Sequence, residues 1–284
     1  MNHLINKVFK FLDNSDKNYI KNLIYSKDYN KKDKMLKIYN YILNKNIIIP
    51  INNNRQQFIS NKIYNYICDR NICNKNIKIM DIGGGNGNVL SNINNNICSN
   101  KENFICVETK NNWVENYTFN NKNISYIFWD NNNINVPDNS IDIVLCMVSL
   151  HHMPDELIQT VLININKKLK TNGLLLIKEH DSTYFSHFFI EWEHYLYHIL
   201  DSLYNKNLNV EEYFNNNIHN FKNKNEWKNI ITNYNFTFID RKNRFLDNYF
   251  KQDIKNLSCL YWDIYKKNPN KNNHTTDSLS HFVL

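Results

Sequence analysis

The run Ile77-Lys78-Ile79-Met80-Asp81-Ile82-Gly83-Gly84-Gly85-Asn86-Gly87 decides how this chain reads. A short, mostly apolar segment that stops on glycines suits a buried parallel strand feeding a helix. The chain has only 5 glycines, and four of them fall between positions 83 and 87. A tight strand-to-helix turn uses one or two. Four mark a place where a ligand approaches the backbone with no Cβ in the way. The spacing Gly83-x-Gly85-x-Gly87 departs from the G-x-G-x-x-G that seats a pyrophosphate on a helix N-terminus, and it lacks the Lys-Ser/Thr ending of a P-loop. A nicotinamide-type oxidoreductase is therefore disfavoured.

Outward from the loop, similar apolar runs recur at Phe104 to Glu108, Ile124 to Trp129, Ile141 to Met147 and Leu174 to Ile177. Between the last two, Asp155 to Leu169 places Leu157, Ile158, Val161, Leu162 and Ile165 at helical spacing. Acidic residues open that stretch and lysines close it, as the helix dipole favours, and Asn172-Gly173 reads as its stop. Strands alternating with helices predict a Rossmann-like, doubly wound α/β sheet, seven-stranded and mostly parallel. Glu226 to Tyr234 reads as a further helix. Phe236 to Asp240 and Leu257 to Tyr265 read as two closing strands.

Two helical regions flank this pattern. Residues 1–54 read as an N-terminal extension of short amphipathic helices, with Ile5, Val8, Phe9 and Leu12 on one stripe and Met35, Ile38, Tyr39 and Ile42 on another, broken at Ile47-Ile48-Ile49-Pro50. A helix from about Gln56 to Asp69 opens the main domain, 55–267. Within it, 182–220 reads as a helical insertion whose stripe Phe185, Phe188, Phe189, Trp192, Tyr195, Leu196, Ile199 and Leu203 faces either a core or an acceptor pocket as a lid. The tail 268–284 is polar, and disorder is expected there.

Composition excludes more than it identifies. The 284 residues contain no alanine, as expected of an AT-rich source, so the asparagine runs carry no message. The net charge of +7 comes from scattered lysines; it suits an anionic partner such as RNA and equally a general lysine enrichment. The 6 cysteines show no CxxC spacing, which predicts no disulfide framework, no metal site and a reducing, cytoplasmic setting. No apolar run is long enough for a membrane span, and the N-terminus has no continuous apolar stretch of the secretory kind.

Acidic residues close the next two strands. Glu108 stands where a carboxylate accepts from both hydroxyls of a ribose. Asp130 stands where one accepts from an adenine amino group, with Trp129 or Ile134 as an apolar wall. With these in place, Asp81-Ile82-Gly83-Gly84-Gly85-Asn86-Gly87 resembles the D-x-G-x-G-x-G signature of class I S-adenosylmethionine-dependent methyltransferases. Trp129-Asp130 and Val136-Pro137-Asp138-Asn139-Ser140-Ile141-Asp142-Ile143-Val144, followed by Leu150-His151-His152, resemble later stretches of that family. So does Leu169-Lys170-Thr171-Asn172-Gly173-Leu174-Leu175-Leu176-Ile177. The resemblance is closest to the methyltransferase-11 group. It implies that Asp81, Gly83, Gly85 and Gly87 hold the methionine end of S-adenosylmethionine, that Glu108 holds the ribose and Asp130 the adenine, and that Val148 and Ser149 lie beside the sulfonium. Thr109-Lys110-Asn111-Asn112-Trp113 departs from the family's short Asp-x-Ser helix start.

The acceptor is less legible. His151 and His152 follow the fourth strand, and Lys178-Glu179-His180-Asp181 the fifth, the edge where open α/β sheets bind ligands. His151, His180 and Glu179 are the candidates for catalysis. Each has a plainer reading, the histidines as helix caps and Glu179 as a partner of Lys178; Glu191, Glu193 and His194 stand near the same pocket. An Asn/Asp-Pro-Pro-Tyr motif and a Lys-Asp-Lys-Glu tetrad are both missing, so neither DNA-type amino methylation nor ribose 2′-O-methylation is supported. The leading expectation is methyl transfer to an unidentified small molecule or RNA, with cap methylation as a variant. The reading from another class is a catalytically inactive, methyltransferase-like scaffold.

Overall fold

The computed structural model describes residues 1–45, 54–74, 76–109, 121–204, 209–216, 219–243 and 260–269. Seven strands form one sheet: β1 (Ile79–Ile82), β2 (Phe104–Thr109), β3 (Ser125–Trp129), β4 (Ile141–Met147), β5 (Leu169–His180), β6 (Phe236–Asn243) and β7 (Leu260–Lys267). Their order is β3-β2-β1-β4-β5-β7-β6, with β7 antiparallel to both its neighbours and the pairings from β3 across to β5 parallel. The strand order reverses between β1 and β4. That reversal opens a crevice at their carboxyl ends, where such sheets take ligands.

β1 is buried along its whole length and β4 nearly so, which is why both read as continuous apolar runs. Helices α4 (Asn54–Asp69) and α5 (Asn88–Ile97) cover one face with Ile63, Ile67, Leu90 and Ile93. Helices α6 (Asp155–Lys168) and α9 (Lys224–Thr232) cover the other with Val161, Leu162, Trp227 and Ile231. Asn223 starts α9 with a reciprocal capping box to Glu226. The outer strand β6 carries Asp240, Arg241 and Lys242, charges that discourage edge pairing.

A third core lies beside the sheet. Helices α1 (Asn2–Val8), α2 (Asn14–Tyr25) and α3 (Lys31–Leu43) pack against α7 (His187–Tyr204) and α8 (Val210–Asn216). Phe9, Ile20, Met35 and Ile38 meet Trp192, Leu196 and Ile199 there. Ion pairs join the same helices: Lys7 Nζ to Glu193 at 2.6 Å and Lys31 Nζ to Glu191 at 2.7 Å. The predicted extension and the predicted insertion thus form one helical cap.

Two expectations need correction. β5 runs from Leu169 rather than Leu174, because Leu169 already pairs with Ile141. A turn at Asn172 (φ +68°) then resets the register, and the ladder resumes at Leu174. Phe185 does not belong to the α7 stripe: it precedes the helix and is 84% exposed beside the equally exposed Tyr184. Of the two readings of the stripe, the core-facing one describes it from Trp192 onward. Ile47 to Pro50, residues 110–113, the start of the second closing strand and most of the tail lie outside the described residues. No helix among the described residues is long and apolar enough to cross a membrane.

Ile199 is fully buried at the centre of the third core. Ile199→Ala is expected to cost about 2–5 kcal/mol of unfolding free energy, read by urea denaturation. A loss well under about 1 kcal/mol would show that the cap does not fold as one core with α7.

Candidate active site

The loop after β1 is held from three sides. Gly83 N–H donates to Val107 O at 2.9 Å, which extends the β1–β2 ladder one step into the loop. Gly85 N–H donates to Glu108 Oε1 at the end of β2. Gly87 closes the turn as the residue capping α5.

Gly83 and Gly85 show why these positions exclude side chains. Gly83 has φ +70°, and a Cβ there would lie 2.7 Å from the Ser149 Cβ. Gly85 has φ +60°, yet a Cβ there would meet nothing within 4 Å. One glycine is packed shut against the turn after β4. The other borders open space, as a backbone that a ligand approaches would.

Buried polar atoms point the same way. Asp81 is 1% exposed, and its Oδ1 finds no hydrogen-bond partner among the described residues. Burial, and then the Glu108 carboxylate, holds the Asp81 carboxyl well above the usual carboxylate range. Ser149 Oγ is also buried without a partner. Next to it Val148 adopts φ +60°, an outlier for a β-branched residue, with its N–H on Lys178 O at 2.7 Å. Such strain persists only where the surroundings impose it, and it clusters at ligand sites.

The adenine-side residues divide. Asp130 is exposed just past β3 and accepts from Asn132 N–H at 3.0 Å through Oδ1. Trp129 is buried in the main core with Met80 and Ile134, and its indole N–H has no hydrogen-bond partner among the described residues.

On the other side of the crevice, strand ends bring His151, Glu179 and His180 together. His151 Nδ1 lies 2.6 Å from Glu179 Oε2, and both side chains are 0% exposed. Glu179 Oε1 accepts from Leu150 N–H at 2.9 Å, so the carboxylate ties the end of β4 to β5 and does not serve as a partner of Lys178. His194 joins from α7, its Nε2 3.0 Å from His151 Nε2 and its Nδ1 2.8 Å from Ile190 O. Ring nitrogens of His151, His180 and His194 all lie within 4.8 Å of one another.

The segment before α9 covers this cluster. Phe221 stacks on His151 at 5.0 Å, His219 lies 5.5 Å from His194 between ring centres, and Asn220 N–H donates to His151 O at 2.7 Å. Sequence reasoning missed His219, Asn220 and Phe221. They lie far from both motifs in the chain, and nothing in their local pattern marks them.

Burial, and then the neighbouring His151 imidazole, lowers His219 to about 4. Burial, and then His180, His151 and His152, holds His194 well below the ordinary imidazole value. In the unfolded chain both titrate near about 6.5. The unfolded state therefore takes up protons first, and the stability these groups carry is present above about pH 6.5 and lost as pH falls toward about 4. Melting temperatures are expected to drop across that window, with a shallower slope for His219→Asn; the same slope in variant and parent would contradict this.

A family model described as a methyltransferase domain matches residues 51–240. No curated protein matches the sequence. Among solved structures, the YcgJ protein of Bacillus subtilis is similar at 15% identity, covering 73% of this chain and 98% of that one, with a TM-score of 0.46. Phosphoethanolamine N-methyltransferase 2 of Haemonchus contortus, solved with phosphomonomethylethanolamine and S-adenosylhomocysteine, is similar at 16% identity, covering 88% and 61%, also with a TM-score of 0.46. Likenesses this distant carry nothing about the acceptor. The family model spans well over half of the chain, and the seven-stranded sheet agrees with it: the protein belongs to the methyltransferase domain family.

Proposed function

We propose that this chain binds S-adenosylmethionine over the glycine loop and methylates a small molecule that reaches the histidine cluster at the ends of β4 and β5. The observation that carries the first part is the buried Asp81 carboxyl. It has an unpartnered oxygen and lies against Gly84, next in the chain to Gly85, whose Cβ position borders open space. An anionic group that is costly to bury alone fits a cationic ligand group that would neutralise it; here that is the methionine ammonium.

The assignments follow the crevice. Gly85 lets the backbone approach the ligand, while Gly83 and Gly87, packed against Ser149 and against Ile124 and Tyr126, shape the turn that holds it there. Glu108, which accepts from Gly85 N–H, would take the ribose hydroxyls, and Asp130, exposed just past β3, the adenine amino group. Trp129 supports this end from the core. Val148 and Ser149 border the methyl group, since Ser149 touches the Gly83 position directly. When bound, the cofactor supplies a sulfonium methyl carbon open to in-line displacement. The chain's contribution is alignment, which can be worth several kcal/mol.

On the acceptor side, Glu179 orients His151, and His180 borders the same space. A cluster this enclosed, under Phe221 and α7, suits a small acceptor better than a polymer. A proton removed from that acceptor has imidazole nitrogens within the cluster to receive it.

Incubation with methyl-labelled S-adenosylmethionine and separate fractions of small molecules, RNA and protein tests the reading. Label is expected in the small-molecule fraction. Label in RNA alone would overturn the acceptor class, and binding without any labelled product would favour the scaffold alternative. Asp81→Asn is expected to leave the ligand-free melting temperature unchanged or higher, since it replaces a carboxyl that burial and Glu108 disfavour in its ionised form. Losing a charged contact worth about 1.5–3 kcal/mol should weaken cofactor binding roughly ten- to a hundredfold. Full affinity in that variant would remove Asp81 from the site.

A further inference from the structure

We propose that His151, His180 and His194 form a three-histidine site for a divalent transition metal of the zinc class, with one coordination position open toward the acceptor. The sequence predicted no metal here, because the three residues come from the end of β4, the end of β5 and the middle of α7. Their ring nitrogens nevertheless converge within 4.8 Å, and all three residues are buried.

The hydrogen bonds of two of them, His151 and His194, are those of metal-bound imidazoles. A ligating histidine generally offers one nitrogen to the ion and donates the other N–H to a carboxylate or a backbone carbonyl. His151 Nδ1 lies 2.6 Å from Glu179 Oε2, and Glu179 is itself held by Leu150 N–H. His194 Nδ1 lies 2.8 Å from Ile190 O, which can only accept. These contacts fix the protons on the Nδ1 atoms and turn the two Nε2 lone pairs toward each other at 3.0 Å. Two lone pairs do not share that space unless an electron-poor species sits between them, either a proton or a metal ion.

The 3.0 Å separation is that of a shared proton and also close to the spacing of two ligands on one ion. Zinc–nitrogen bonds of about 2.0–2.1 Å place tetrahedral neighbours roughly 3.3 Å apart, so the His151–His194 pair is near that spacing. Imidazole ligands suit zinc and its first-row neighbours rather than magnesium or calcium. Three protein ligands with an open fourth position is the pattern of catalytic rather than structural zinc. The fourth position of such an ion fits an oxygen of the acceptor. Metal binding stands apart from the methyl-transfer reading; only the role of the fourth position rests on it.

The test uses the full chain, stripped with chelator and titrated with Zn²⁺ by calorimetry and with Co²⁺ by visible absorption. S-adenosylhomocysteine binding is measured on the same sample. Expected are one equivalent of Zn²⁺, a cobalt spectrum of four-coordinate nitrogen ligation and a rise of several degrees in melting temperature. Glu179→Gln should weaken metal binding about 10- to 100-fold and His194→Gln at least as much, while His187→Gln leaves it unchanged. No binding by wild-type protein that still takes up S-adenosylhomocysteine would overturn the metal site and leave the methyltransferase reading intact. Binding with no loss in His194→Gln, or a cobalt spectrum of six-coordinate oxygen ligation, would overturn it equally. The wild-type spectrum decides the matter if a buried variant fails to fold.

Discussion

Where β1 and β4 leave the sheet side by side, their chains must part with almost no space between them. The Gly83 position is filled to contact by Ser149, and Val148 is forced into a left-handed conformation that its side chain disfavours. This constraint follows from the strand order, because β1 continues toward β2 while β4 continues toward β5. It creates the crevice, and it brings the glycine loop against the turn after β4. Glu108 then locks the loop through Gly85 N–H. The buried Asp81 is left without enough partners, a cost of the kind that native proteins retain at ligand sites.

The second half of the site depends on α7. One side of this helix supplies Trp192, Leu196 and Ile199 to the cap core, while His194 reaches the strand ends. The N-terminal helices therefore act on the site indirectly: by burying α7 and pairing with Glu191 and Glu193, they fix where His194 stands. The Glu179 carboxylate does the matching work within the sheet, tying Leu150 and His151 to β5. The histidine cluster is thus set by two rigid parts that meet across it.

Local patterns carried the fold well. β4 and α6 lie where the apolar periodicity placed them, because each is decided by which residues its own face buries. The glycine loop was legible for the same reason, since backbone conformation is a local property. Features set by distant partners were not. β5 begins early because Leu169 finds Ile141, Phe185 falls outside its stripe because the helix starts after it, and Trp129 turns to the core because of what packs above the sheet. The position of β7 between β5 and β6 also left no local trace. His151, His180 and Glu179 were visible as strand-end residues, but their joining with His194, His219 and Phe221 depends on tertiary packing alone.

The central claim is that the crevice between β1 and β4 is a cofactor site built on the glycine loop. Calorimetric titration of the folded, full-length protein with S-adenosylhomocysteine tests it most directly. The account predicts one saturable site per chain, with binding strongly reduced in Glu108→Ala. Absence of binding by the folded wild-type protein, or binding that Glu108→Ala leaves unchanged, would contradict it.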